Sequence, residues 1–134
     1  MYSHAYQQYR QTQVETAGPG QLILMLYNGG IRFCDEAVEA IEDNEVERAH
    51  RSLIRAQEIV AELIASLNME AGELAQNFLR LYDYMHHRLL EANLKKDREA
   101  IQEVRGMFAE LRDTWQAMLK KTGTKARGGK AYGG

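Results

Sequence analysis

A glutamate and a histidine at the spacing of a metal-ligand pair, Glu47-x-x-His50, are the first residues of this sequence that could do chemistry. In di-iron helical bundles the Glu-x-x-His pattern supplies inward-pointing ligands, and it occurs there on two helices. Here it occurs once, and Glu47 points away from the helical seam formed by Val46, Ala49 and Leu53. No inward glutamate lies in the other seams. The pattern therefore predicts neither a metal site nor a bound cofactor.

His50 is also the candidate for a phosphotransfer histidine, since such residues stand exposed on four-helix bundles. The residues around it, Ala49 to Leu53, faintly resemble such a site, but Ile54 and Arg55 stand where a lysine and a glycine are expected. Asp83 and His87 share a helical face, and a surface pair is expected of them. No glycine-rich phosphate loop follows a strand, and no nucleophile–base signature is present. We therefore expect no enzymatic activity.

The charge of the chain is −2 and is unevenly distributed. Five basic residues and no acidic one follow Trp115, so the rest of the chain carries −7. A mildly acidic body does not suit nucleic acid, which needs a basic face. No run approaches the ~18 apolar residues of a membrane span, and the polar N-terminus is unlike a signal peptide. Cys34, the single cysteine, is expected to be a reduced core residue. These features predict a cytoplasmic protein without nucleic-acid binding or membrane insertion.

The longest unbroken apolar run, Leu22 to Tyr27, predicts the first helix. Pro19 stands just before it, where a proline suits the first turn, and apolar residues return at helical spacing as far as Ile41. Gly29 and Gly30 interrupt this pattern, and each glycine should cost about 1 kcal/mol relative to alanine. Either a neighbouring helix approaches closely there, or the glycines make a shallow spot where a guest helix lies against bare backbone.

The spacing of apolar residues predicts three further helices. The second has a seam of alternating three- and four-residue steps over residues 46–67, and Asn44 is its expected cap in an Asn-x-x-Glu pattern. The third carries its seam over residues 74–92, and the fourth over residues 101–118 with Asp97 as its expected cap. Short connections make neighbouring helices antiparallel. The expected fold class is all-α, an antiparallel up-down four-helix bundle.

The sequence divides into a bundle over residues 18–122 and two flanking segments. Residues 1–17 form an N-terminal cap segment in which Tyr2, Tyr6 and Tyr9 stand out. The spacing of Tyr2, Tyr6 and Tyr9 puts them on one face of a helix, which is too short to be stable unless it docks on something. Residues 123–134 are a glycine-rich basic tail, expected to be disordered, and Gly123 is the expected end of the last helix.

Some apolar residues lie outside the seams, in extra rows on the first three helices. These residues are Leu24, Ile31, Val38, Ile54, Leu79, Leu90 and Leu94. Single exposed leucines are ordinary, but rows that repeat at helical spacing can mark a groove for a partner. The rows indicate either a wider core or a binding surface.

Several short motifs, in order along nearly the whole bundle, resemble the FliS family of flagellar secretion chaperones for flagellin. The motifs are Tyr6-x-x-Tyr9, Pro19-x-x-Leu22-Ile23-x-Met25-Leu26-Tyr27-Asn28-Gly29, Leu81-Tyr82-Asp83-Tyr84-Met85, Ala92-Asn93 and Leu111-Arg112-x-x-Trp115. The family more often has Ser and Asp where this chain has Gly18 and Asn28. That departure concerns the cap of the first helix, and the basic tail lies outside the resemblance.

The resemblance implies a cytoplasmic bundle that binds the disordered C-terminal segment of flagellin. The chaperone would prevent premature polymerisation and deliver flagellin to the flagellar export gate protein. The extra apolar rows then become the expected client groove, and Tyr2, Tyr6 and Tyr9 an N-terminal cap or a gate-docking segment. The protein would be a monomer or a weak homodimer. The alternative is a self-associating or regulatory helical-bundle interaction protein that uses the same rows.

Overall fold

The computed structural model describes residues 18–130, with the side chains of Gly18 and of residues 20–122. Four helices account for most of this range: α1 (Pro19–Glu42), α2 (Val46–Ala65), α3 (Glu73–Lys95) and α4 (Arg98–Lys130). A 3₁₀ turn, Met69–Ala71, leads into α3. Helix α1 packs against α2 and α4, and α3 packs against the same two helices, so α1 and α3 lie on a diagonal. The all-α four-helix bundle is confirmed.

Two of the predicted helix starts are observed. Gly18 is extended and Pro19 occupies the first turn of α1, where its missing N–H leaves no hydrogen bond unmade. The Asp97 side chain accepts a hydrogen bond from the backbone N–H of Glu99 at 3.0 Å and a longer one from Ala100 at 3.4 Å. Asp97 therefore caps α4 as an N-terminal aspartate should.

The predicted cap of α2 is wrong. Asn44 has a φ of 60°, in the left-handed region, and it ends α1 rather than starting α2. Its N–H donates to Ile41 O, and the N–H of Glu45 donates to Ala40 O at 2.8 Å. This pair of bonds is the Schellman arrangement, in which asparagine is the usual substitute for glycine. Residue Glu45 precedes α2 without a side-chain cap.

The fourth helix is longer than its apolar seam predicts. It continues past Gly123 to Lys130, so the expected stop at Gly123 is not observed. The residues just after Gly123 include lysine, alanine and arginine, which favour helix, although Gly123, Gly128 and Gly129 each cost about 1 kcal/mol relative to alanine. The division of the chain at residues 17 and 122 stays a prediction, because residues 1–17 and 131–134 lie outside the described residues.

The core follows the predicted seams over the middle of the bundle. Its largest fully buried side chains include Tyr27 of α1, Leu53 of α2, Met85 of α3 and Phe108 of α4. Towards one end the seams open, because the α3 and α4 residues that continue them are half-buried or exposed. The core is therefore complete at the middle of the helices and incomplete where α3 begins.

The two glycines of α1 mark the closest approach of its neighbours. A Cβ on Gly29 would lie 3.1 Å from Ile59 Cδ1 of α2, and a Cβ on Gly30 would lie 2.5 Å from the Phe108 ring of α4. Both glycines are buried. Close packing of neighbouring helices is thus the explanation that holds, and neither glycine offers bare backbone to a guest helix in this structure.

A single buried hydrogen bond joins the diagonal helices α1 and α3. The hydroxyl oxygens of Tyr27 and Tyr82 are 2.7 Å apart, and both side chains are buried. Burial raises the pKa of both phenols, so neither ionises near neutral pH. One hydroxyl donates to the other in a place where water does not reach.

Replacement of Gly106 and of Gly30 by alanine should change the free energy of unfolding in opposite directions. Gly106 lies exposed inside α4 with nothing within 4 Å of an added Cβ. We expect Gly106→Ala to raise the free energy of unfolding by about 1 kcal/mol, because alanine loses less backbone entropy. We expect Gly30→Ala to lower it by about 1–2 kcal/mol, because the buried Phe108 ring must move. Urea unfolding followed by circular dichroism measures both changes, and a stabilised Gly30→Ala would contradict the close approach.

Substitutions of Tyr27 and Tyr82 should have strongly non-additive effects on the free energy of unfolding. Tyr82→Phe leaves the Tyr27 hydroxyl buried without a partner, so we expect a loss of about 1–3 kcal/mol in the free energy of unfolding. The double variant Tyr27→Phe/Tyr82→Phe removes both hydroxyls and should lose less than the two single variants together. A double-mutant cycle by urea unfolding measures the coupling, and additive losses would show that the pair does not act as a unit.

Candidate protein-binding surfaces

His50, the residue most suited to chemistry in the sequence, lies in a structural contact between α2 and α3. The Asn93 amide nitrogen donates to His50 Nδ1 over 3.1 Å, and Lys96 Nζ donates to Asn93 Oδ1 over 2.9 Å. Lys96 itself has a left-handed backbone at the end of α3. No group of three or more metal-ligating side chains occurs among the described residues. The histidine therefore helps to fix the α2–α3 interface.

Cys34 lies in the interior and is fully buried. Burial raises the pKa of its thiol to about 12, and the charge of Asp35 adds to the increase while Arg105 opposes it. A thiol with that pKa holds almost no thiolate at neutral pH and is not a nucleophile.

The α1 residues predicted to bind a client, Leu24, Ile31 and Val38, face α4. Asp35 follows Ile31 by four residues, and its Oδ1 lies 2.8 Å from Arg105 Nε of α4. Ile31 is only 7% exposed and belongs to the core, so it offers almost no accessible surface to a client in this structure. The reason is the glycine beside it, because Gly30 lets α4 approach and cover this row. Leu24 and Val38 are half-buried.

The remaining predicted residues lie on the opposite side of the bundle, between α2 and α3. We call this surface the α2–α3 strip, and it comprises Ile54, Ala61, Ile64, Leu79, Leu90 and Leu94. The contact between His50 and Asn93 fixes its register, because Ile54 and Leu90 lie one turn from that pair on the two antiparallel helices. Leu90 is 45% exposed and Leu94 is 80% exposed. Ile54 and Leu79 are half-buried. The structure thus divides the expected groove between two opposite faces.

A polar residue that the sequence prediction missed lies under this strip. Gln57 is 9% exposed, and its Nε2 is buried without a hydrogen-bond partner. A buried N–H without an acceptor costs about 1–3 kcal/mol. A signal was present in the sequence, because Gln57 stands four residues after Leu53 and three before Val60, both seam residues. A glutamine at such a position is expected to be buried.

A second apolar surface was also missed, because all of its residues except Met107 were predicted to be core. We call it the α3–α4 cleft, and it comprises Leu74, Phe78, Leu81, Met107, Leu111, Trp115 and Met118. Leu74 is 63% exposed and Met118 is 43% exposed, and the others are half-buried. At the far end of the same interface, Arg88 Nε donates to Glu103 Oε1 over 2.9 Å. The helices are joined by polar contacts there and leave apolar side chains accessible where α3 begins.

The α1–α2 face differs from both apolar surfaces because arginines dominate it. A depression of about 470 Å³ is lined by Phe33 and three arginines of α2, and it reaches Ile54, which borders this face as well as the α2–α3 strip. The guanidinium carbons of Arg32 and Arg55 lie 5.1 and 5.8 Å from the centre of the Phe33 ring, within cation–π distance. Arg48, at one edge, is surrounded by Glu36, Glu39, Asp43 and Glu45. The ring on this face is therefore partly covered by charged side chains.

Comparison with known proteins adds to this geometry. The model of the family described as flagellar protein FliS matches residues 2–122. The chain belongs to the FliS family.

Relatives of the chain match it over most of their length. The flagellar secretion chaperone FliS of Bacillus subtilis is 43% identical over 115 residues, which are 86% of each chain. That of Salmonella typhimurium is 38% identical over 84% of this chain and 88% of the relative. The chaperone FliSB of Pseudomonas aeruginosa is 34% identical over 85% of this chain and 94% of the relative. FliS is a family of chaperones and not of enzymes, which confirms that expectation. None of the helices within residues 18–130 is both long and apolar enough to span a bilayer.

The motifs that resemble FliS supply several of the long-range hydrogen bonds of the bundle. Tyr27 and Tyr82 come from two separate motifs and bond to each other. Asn93 comes from a third and bonds to His50. Trp115 comes from a fourth, and its Nε1 donates to Gly20 O at the start of α1 over 2.8 Å. These motif residues therefore hold the helices in place, whereas the accessible apolar residues lie mostly between them.

The pKa of Cys34 predicts a stability change at alkaline pH. The unfolded thiol ionises near its ordinary pKa of about 8.5 and the folded thiol only near about 12, so the unfolded state loses its proton first. The free energy of unfolding should therefore fall as the pH rises from about 9 to 11. In this range the wild type should lose up to about 1.4 kcal/mol per pH unit more than the Cys34→Ala variant, which has no thiol to ionise. Urea unfolding across this range measures the slope. Equal slopes in the two proteins would show that the thiol is not protected.

Proposed function

We propose that the chain is a cytoplasmic export chaperone that binds the disordered C-terminal segment of flagellin, keeps it from polymerising early and presents it to the flagellar export gate protein. Membership of the FliS family supports the chaperone role. The observation that carries the binding mode is the α2–α3 strip, in which Leu90 and Leu94 remain exposed beside a complete central core.

Apolar strips of this kind suit a client that is disordered before it binds. Such a client loses conformational entropy when it becomes ordered, and coupled folding and binding typically bury ~1,000–3,000 Å² to compensate. An amphipathic helix places its apolar residues at intervals of three and four into a groove between two helices. The α2–α3 strip offers leucines and isoleucines on both sides of such a groove. These strip residues contribute less to the core than the fully buried seam residues do, because they are half-buried or exposed.

We assign the first client contact to Ile54, Leu79, Leu90 and Leu94 of this strip. Leu24 and Val38, on the opposite face, come into contact only with a client that continues around the bundle. Ile31 is left out because the core already encloses it. The α3–α4 cleft is the competing surface, and it is also where a second copy of the chain would bind if the protein formed a weak homodimer.

Tyr2, Tyr6 and Tyr9 lie outside the described residues, and their role as a cap or a gate-docking segment stays a prediction. Gly18, the first described residue, lies at the end of the bundle where the α3–α4 cleft opens. The first turn of α1 is held against α4 by the bond from Trp115 to Gly20, and Trp115 lines that cleft. The start of α1 therefore lies at the end of the bundle where apolar side chains are accessible.

Titration with a synthetic peptide of the flagellin C-terminal segment tests the proposal. We expect binding with a gain of helix in the circular dichroism spectrum, because the peptide folds in the groove. Leu90→Asp should weaken binding at least tenfold while leaving the free energy of unfolding within about 0.5 kcal/mol, because this side chain is substantially exposed. Calorimetric titration gives the affinity.

Two further variants separate the candidate surfaces. Ala117→Asp adds the same charge to an exposed position of α4 and should bind as the wild type does. Leu74→Asp places the charge in the α3–α4 cleft. If Leu74→Asp abolishes binding and Leu90→Asp does not, the client binds in the cleft and the assignment to the α2–α3 strip is wrong. Absence of any binding by the wild type contradicts the proposed function itself.

A further inference from the structure

Gln57 is a buried polar group for which the fold of the free protein supplies no partner. Gln57 lies on the same face of α2 as His50, seven residues earlier, and that face contacts α3 at His50. At His50 the interface is satisfied, because Asn93 of α3 donates to the ring. Two turns further along, no described residue accepts a hydrogen bond from Gln57 Nε2. The same interface thus contains one completed polar pair and one incomplete one.

The neighbours of Gln57 place it at the middle of the α2–α3 strip. Ile54 precedes it by three residues and Ala61 follows it by four, so both lie on its helical face. The antiparallel register brings His86 of α3 level with it, seven residues from Asn93, and no hydrogen bond joins the two. A glutamine side chain has three rotatable bonds. Its amide can therefore turn outward, between Ile54 and Ala61, towards a helix that lies on the strip.

We propose that Gln57 is a specificity-determining residue of the client groove, which selects a client helix that presents a hydrogen-bond acceptor within its apolar face. This proposal rests on the proposed function. The acceptor is a side-chain oxygen, of asparagine, glutamine, serine, threonine or a carboxylate, placed opposite residue 57. A wholly apolar client helix packs on the same leucines but leaves the amide unpaired.

The physical basis is the asymmetry between made and unmade hydrogen bonds. A site built to bond a polar group rejects an analogue that lacks it more strongly than an apolar pocket rejects a missing methylene, because the site is left with an unpaired group. The free protein tolerates its unpaired amide as a loss of stability. Binding of the matching client removes that deficit, so the same group destabilises the free fold and strengthens the complex.

The test replaces the amide with an apolar group of similar size. We expect Gln57→Leu to raise the Tm of the free protein by about 3–5 °C, because the unpaired donor is removed. We expect the same substitution to increase the Kd for the flagellin C-terminal peptide about tenfold. Gln102→Leu, at an exposed position of α4, is the matched control and should change neither quantity. If leucine disturbs the packing, Gln57→Met, which keeps the length and flexibility of the side chain, replaces it.

A second series identifies the acceptor on the client. Each polar residue of the peptide is replaced in turn by alanine, and one replacement should weaken binding to the wild type about tenfold and binding to Gln57→Leu hardly at all. If the wild type binds the peptide and Gln57→Leu binds it equally well, the selective role of Gln57 is wrong while the proposed function stands. If the wild type does not bind the peptide, both are wrong.

Discussion

The contact between Gly30 and the Phe108 ring is the constraint on which the arrangement of the bundle depends. The ring occupies the space that a Cβ would need, so α1 and α4 approach closely at their middle. Ile31, next along α1, is covered as a result. Tyr27, three residues before Gly30, is directed into the interior, where its hydroxyl reaches Tyr82 across the diagonal. Gly30, although it lowers the intrinsic stability of the helix, therefore determines the positions of Phe108, Ile31 and Tyr27.

The neighbours of α1 pack closely around it, so the apolar side chains that remain accessible lie mainly on α3. That helix has apolar residues on both flanks, with Leu74 and Leu81 towards α4 and Leu79 and Leu90 towards α2. A helix that serves only its own bundle needs a single stripe. The wider apolar surface of α3 is the feature that distinguishes a binding protein from a bundle that is merely stable, and it agrees with membership of a chaperone family.

Much of the fold could be predicted from the sequence because the seams of the helices repeat at intervals of three and four. Asn44 could not be assigned correctly, since asparagine suits both the cap before a helix and the left-handed residue after one. Helical spacing shows which face of a helix is apolar, but not how far a neighbouring helix diverges from it. Leu74 and Met118 were therefore expected in the core, and the row that contains Ile31 could be interpreted either as a wider core or as a binding surface. The unpaired amide of Gln57 depends on the side chains opposite, which only the structure brings together.

The row on α1 and the α2–α3 strip lie on opposite sides of the four-helix bundle, and this limits the shape of any ligand that touches both. Each helix is about 10 Å across, so the path around one flank of the bundle is roughly 30 Å. An extended chain advances about 3.3 Å per residue and needs roughly nine residues to cover that path. One rigid rod cannot reach both Leu24 and Leu90. A single polypeptide that does so needs a flexible stretch of about that length between its two contacts, and a disordered segment can supply one.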